Sequence, residues 1–82
     1  MKRLVKPIRR YGLIANPDKP LCRDLVRQAA RSITAAGDTV LTEPATAELA
    51  GIKAQIFPNI ASLARASDLL MVFGGDGTML RV

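Results

Sequence analysis

The chain has 82 residues, a length for one small domain or for a piece of a larger one. It is 49% hydrophobic but only 4% aromatic, so its apolar content is mostly Ala, Leu, Ile and Val; this excludes an intrinsically disordered chain and suits an α/β protein with buried aliphatic strands. The net charge is +5, with one cysteine and no histidine, which excludes an intrachain disulfide framework, a cysteine or histidine zinc site and every histidine-based catalytic triad.

The charge is concentrated at the start. Lys2, Arg3, Lys6, Arg9 and Arg10 fall in the first ten residues with no acid among them, whereas from residue 11 onward seven basic and seven acidic residues cancel. Residues 1–10 are expected to be a basic, flexible leader rather than a charged face of the folded body. No aromatic side chains are interleaved there to stack bases, so nucleic acid is not expected as a partner. No apolar run reaches membrane-spanning length, and the basic start is not followed by an apolar segment of signal-peptide type. A cytoplasmic protein without a membrane partner is expected.

The folded body is read over residues 11–82. "YGLIA", Tyr11 to Ala15, is a short apolar strand ending at the turn-forming "NPDKP". Asp18 is expected to cap a helix with Pro20 in its first turn. Leu21, Leu25, Ala29 and Ile33 recur at steps of four and are read as its apolar stripe, with Cys22, Val26 and Ala30 beside them. Arg23, Arg27 and Arg31 form a solvated row, and Gly37 is a C-terminal stop. "DTVLT", Asp38 to Thr42, is a second strand. Residues 43–59 are less clear: "EPATAELAG" suits one helical turn and "IKAQIFPN" is ambiguous. "IASLARAS", Ile60 to Ser67, suits a short helix. "LLMVF", Leu69 to Phe73, is the most apolar run, expected to be a strand covered on both faces. A helix is expected to begin at Thr78. The alternation of strands and helices implies an open parallel sheet with right-handed crossovers, whose ligands sit beyond the carboxyl ends of the strands.

Residues 74–78 lie at such an end. Gly74, Gly75 and Gly77 lack Cβ atoms, so another molecule can approach the backbone closely. A helix starting at Thr78 would add free N–H groups that favour phosphate. Asp76 repels phosphate and so needs another role, either as a helix cap or as a carboxylate that takes a proton from a hydroxyl or holds a divalent cation. The loop lacks the lysine and spacing of a P-loop. It half-meets the G-x-G-x-x-G dinucleotide fingerprint, whose last position holds Leu80. On residue chemistry alone, a plain turn with a capping Asp remains as good a reading.

The segment Gly74-Gly75-Asp76-Gly77-Thr78, directly after an apolar strand, resembles the signature of the NAD kinase family, and more broadly the GGDG loop of diacylglycerol-type lipid kinases, sphingosine kinases and phosphofructokinases. "GLIANPDKP" resembles the NAD kinase opening strand and its Asn-Pro-x-Lys turn, here Asn16, Pro17 and Lys19. "ASDLLMVFGGDGTMLR" resembles the run from the Ala-Asp before the strand through the loop. The layout matches over residues 11–82, and residues 66–81 carry the specific part.

The resemblance implies a Rossmann-like α/β domain. It implies transfer of a phosphoryl group from ATP, or from polyphosphate, to the 2′-hydroxyl of the adenosine ribose of NAD, giving NADP with a divalent cation, magnesium, as cofactor. By the same resemblance Asp76 is the proton acceptor and Gly77 lines the NAD site. Arg81 matches a position that contacts NAD, and Gly74, Gly75 and Thr78 shape the loop toward phosphates. Asn16 sits at the same sheet edge as a further ligand contact. The family's Asn-acid motif and its C-terminal β-rich domain have no counterpart in these residues. The chain is therefore read as an N-terminal piece that does not turn over NAD alone, the full-length protein being a homo-oligomer. The alternatives are another GGDG-loop kinase or a non-catalytic nucleotide-binding module.

Overall fold

A computed structural model describes residues 7–16, 18–74 and the backbone of 79–81. Eight elements follow in order: β1 (Arg10–Ala15), α1 (Leu21–Ala35), β2 (Thr39–Thr42), α2 (Pro44–Ala50), β3 (Gln55–Ile56), α3 (Ile60–Ala66), β4 (Leu69–Phe73) and β5 (Met79–Arg81). The strands form one sheet in the order β3-β2-β1-β4-β5. The first four are parallel, with Tyr11 opposite Val40 on one side of β1 and opposite Leu69 on the other. β5 is antiparallel, pairing Met71 with Met79 and Leu69 with Arg81.

The helix expected from Thr78 is therefore corrected over 79–81, where the chain runs back along β4. The outer edge of β4 presents backbone donors and acceptors, and an antiparallel strand satisfies them. Thr78 itself lies outside the described residues. The result is an α/β, Rossmann-like open sheet with an antiparallel edge strand.

Helix α1 shows how packing overrides a sequence stripe. Cys22, Val26, Ala30 and Ile33 are buried, whereas Leu21 and Leu25 are 79% and 48% exposed. The expected row of Leu21, Leu25, Ala29 and Ile33 is thus rotated by about one residue. The Cys-Val-Ala row is small, which lets the helix lie close against β1, and the two leucines are left at the rim. Asp18 does not cap this helix. Pro20 occupies the cap position with no side-chain bond, and the preceding turn is closed instead by the Lys19 amide donating to the Asn16 carbonyl at 3.1 Å. At the other end Gly37, at φ +84°, completes a Schellman closure: Gly37 N–H reaches the Thr34 carbonyl and Asp38 N–H the Ile33 carbonyl.

The segment 43–50, expected to hold one turn, forms the seven-residue helix α2 because Glu43 caps it, accepting from the amides of Thr46 at 2.7 Å and Ala45 at 3.2 Å. Asn59 caps α3 in the same way, through Ser62 N–H at 2.8 Å.

Two cores flank the sheet. Leu13, Ala15 and Val40 pack with Cys22, Val26, Ala30 and Ile33 of α1 and with Ala50 of α2. On the other face Leu41 and Leu70 pack against Leu63 of α3. β4 is less covered than expected: Leu70 is buried, but Leu69, Met71, Val72 and Phe73 are half-buried. Cys22 is a buried free thiol, a small apolar residue as its row requires. The strand β1 opens at Arg10, inside the segment read as a leader. The Asp68 carboxylate accepts from the amides of Arg9 and Arg10 at 3.1 and 3.0 Å, tying the chain to the start of β4. Residues 1–6 lie outside the described residues.

Candidate functional site

Successive connections from β1 to β2 and from β2 to β3 move outward in one direction, with α1 and α2 on one face. The connection from β3 returns across the sheet to β4 by way of α3 on the other face. The direction of winding therefore reverses between β1 and β4. In open α/β sheets the loops leaving such a pair of strands diverge at their carboxyl ends and leave a crevice for ligands. The segments here are the Asn16–Lys19 turn after Ala15 and the chain that leaves Phe73 through Gly74.

The two segments are joined at their bases. Asn16 N–H donates to the Phe73 carbonyl at 3.1 Å, which extends the β1–β4 ladder by one bond. Gly74 has φ +131°, and a Cβ placed there would lie 2.7 Å from Asn16 Cβ and 3.2 Å from Asn16 N. Glycine is needed at this position twice over, for its backbone angle and for its lack of a side chain. The carboxyl end of β1 is braced from the other side as well. Thr42 Oγ1 donates to the Leu13 carbonyl at 2.8 Å, and Thr46 Oγ1 accepts from Ala15 N–H at 2.9 Å while its hydroxyl donates to the Glu43 carboxylate. Both threonines are fully buried, so the last residues of β1 are held on the β2 side, where strand pairing ends at Leu13.

A cleft of about 540 Å³ opens at this edge. Asp18 and Lys19 line it from the turn, Pro20, Leu21, Cys22 and Leu25 from α1, and Phe73 and Gly74 from the end of β4. Its wall is mostly apolar with two charged groups at the mouth, the usual make-up of a small-molecule site, and its volume falls in the usual range. The Asn16 side chain is committed to the turn through Oδ1, which accepts from Asp18 N–H at 2.9 Å.

Of the residues read from the sequence, Asn16 and Gly74 are brought into contact at the cleft. Gly75, Asp76, Gly77 and Thr78 lie outside the described residues. Arg81 is not brought there: its backbone pairs with Leu69, at the opposite end of β4 from Phe73. The apolar wall of Leu21, Leu25 and Phe73 escaped the sequence reading. The signal for it was the pair of large leucines one turn apart at the start of α1, which was assigned to the core row instead. Among the described residues no three acidic, cysteine or histidine side chains converge to hold a metal, and no helix is long and apolar enough to cross a membrane.

No protein-family model matches the chain, and no solved structure matches it. Two curated proteins do. The NAD kinase of Thiobacillus denitrificans is 36% identical over 76 residues, covering 93% of this chain and 26% of that protein. The NAD kinase of Symbiobacterium thermophilum is 33% identical over 72 residues, covering 88% of this chain and 25% of that protein. The chain thus spans about a quarter of the length of the curated relatives it matches. With this identity running through nearly all of its residues, and with the open α/β sheet that the family resemblance called for, the chain belongs to the NAD kinase family.

Proposed function

We propose that this chain forms part of the catalytic α/β domain of an enzyme that phosphorylates the 2′-hydroxyl of the adenosine ribose of NAD, giving NADP. The observation that carries the proposal is the crevice at the β1–β4 reversal, where Asn16 touches Gly74, the first residue of the Gly-Gly-Asp-Gly-Thr segment in the sequence. The names of the two relatives favour NAD over a lipid or a sugar as acceptor.

In this reading the glycines keep the loop clear of side chains so that the ribose can settle against the backbone. The carboxylate of Asp76 takes the proton of the 2′-hydroxyl as that oxygen forms its bond to the terminal phosphorus of the donor, and the bond from that phosphorus to the leaving phosphate oxygen breaks. Lys19 at the mouth of the cleft draws in the phosphate chain of ATP or polyphosphate. Asp18 is the one described carboxylate lining the cleft, so the described residues form no protein cage for a divalent cation. A divalent cation, magnesium, would neutralise charge on the donor's phosphates, and Asp18 and Asp76 are the carboxylates of this chain that would hold it. The whole protein is proposed to be cytoplasmic and homo-oligomeric, and this chain alone to make no NADP.

The test is a graft. The aligned 76-residue segment of the Thiobacillus denitrificans protein is replaced by this chain, and NADP formation is followed with ATP and, separately, with polyphosphate. The graft is expected to turn over. Asp76→Asn within it is expected to lower turnover by about 10²–10⁴-fold, the usual share of a general base, with NAD affinity kept. Undiminished turnover in that variant would end the assignment of Asp76.

A further inference from the structure

A second groove, of about 490 Å³, lies between α1 and the segment that leaves α2. Arg27, Arg31 and Lys53 line it, over a floor that includes the buried Ala30 and the half-buried Ile52. Both helices run against the strands, so this groove sits toward the amino edge of the sheet, opposite the Asn16–Gly74 crevice. Arg27 and Arg31 are four residues apart on α1, a spacing that places their side chains side by side on one face. Lys53 enters from the α2–β3 connection, so the three cations come from two separate elements.

No carboxylate lines the groove, and among the described residues none of the three cations is ion-paired. The nearest acid along α1, Asp24, is already beside Arg23 at 3.7 Å. The competing explanation is that the cations only offset the C-terminal ends of α1 and α2, whose Thr34, Ala35 and Gly51 also line the groove. The magnitudes decide against this. Each helix end carries roughly half a negative charge, so two ends offset about one of the three cations and leave about two positive charges unmatched. A phosphomonoester carries about −1.5 to −2 at neutral pH, which matches that remainder.

We infer that this groove is a second anion site, separate from the crevice at the carboxyl edge, that binds the terminal phosphate of a small phosphorylated ligand. The two guanidinium groups supply paired N–H donors suited to phosphate oxygens, and the lysine supplies a point charge across from them. Arg23, further along the same row, lies outside the groove and serves as an internal control.

The experiment titrates pyrophosphate into the 15N-labelled chain at low salt, about 20 mM, where screening is weak. Amide shifts are expected to concentrate at Arg27, Arg31, Gly51 and Lys53. Arg27→Ala with Arg31→Ala is expected to weaken binding by roughly tenfold, the loss of two charge-assisted contacts, while Arg23→Ala changes it by less than about twofold because Arg23 lies outside the groove and its charge is offset by Asp24 beside it. All three arginines are exposed, so these variants leave the core intact. The same variants in the graft, titrated by calorimetry, give a readout independent of how the short chain behaves alone. Shifts confined to residues 16–22 and 74, or equal weakening by Arg23→Ala, would overturn the site. So would a single-stranded oligonucleotide that binds more tightly than pyrophosphate and shifts the basic first residues as strongly as the groove.

Discussion

Replacing Gly74 by alanine tests whether the two crevice loops are locked together as described. Two costs add. An alanine held at φ +131° carries a backbone penalty of about 1–3 kcal/mol. Its Cβ would also sit 2.7 Å from Asn16 Cβ and 3.2 Å from Asn16 N, atoms fixed to the backbone of β1's exit, and overpacking of this kind costs about 1–3 kcal/mol. The reduced freedom of the unfolded chain returns about 0.4–1 kcal/mol. The net loss is about 1–6 kcal/mol, to be set against a total stability of about 4–12 kcal/mol for a domain of this length. At about 4–8 °C per kcal/mol, the thermal unfolding midpoint followed by circular dichroism should fall by at least about 4 °C. Gly51→Ala is the matched control. It also has positive φ, +63°, but nothing lies within 4 Å of the added Cβ, so only strain of about 1–2 kcal/mol applies. A second control removes the obstacle: Gly74→Ala combined with Asn16→Gly should recover the steric part of the loss. If Gly74→Ala and Gly51→Ala lower the transition equally, the contact between the loops contributes nothing and the argument for a locked crevice is wrong.

Three further outcomes are expected. Gly12→Ala would drive a Cβ into Ser67 and to 2.8 Å from Leu70 Cδ1, costing about 1–3 kcal/mol in denaturant unfolding; pairing it with Ser67→Gly should restore part of that, and strictly additive losses would contradict the packing described. Thr46→Val removes the partner of the buried Ala15 N–H and should cost about 1–3 kcal/mol, with faster hydrogen exchange at Ala15; protection of that amide at its original level would be the contrary result. Asp68→Ala strips two amide partners at Arg9 and Arg10, and is expected to lower stability by about 1–3 kcal/mol and speed exchange at both amides, whereas exchange confined to its original rates would show that the clamp does not hold the chain.

What could be read from the residues was whatever local chemistry decides. The apolar run Leu69–Phe73 is a strand wherever it packs, and Asn-Pro after Ala15 ends one wherever it falls. Together they were enough to put Gly74 at a carboxyl edge. What escaped depended on partners distant in sequence. The rotation of α1 was set by the strand it covers, which favours the small Cys-Val-Ala row over the larger leucines. The strand at Met79–Arg81 is a response to the open edge of β4, and nothing in its own three residues announces it. Thr46 looked like any helical threonine, yet its hydroxyl serves a strand 31 residues earlier. Asp68 was noted only for its place before the Leu69–Phe73 strand, and the amides that it holds lie 58 and 59 residues away.

The pairing of β1 with β4 has a consequence for how the molecule is made. β1 meets β2 across 29 residues but meets β4 only across about twice that separation. Doubling a loop adds only about 0.6 kcal/mol of closure entropy, so the later pairing is delayed less by cost than by order of arrival. At a synthesis rate of about 5–20 residues per second, the first strand waits seconds for its last neighbour. A nascent chain halted before Phe73 already contains the Asn16 turn and its threonine braces, yet lacks the Phe73 and Gly74 that wall the cleft.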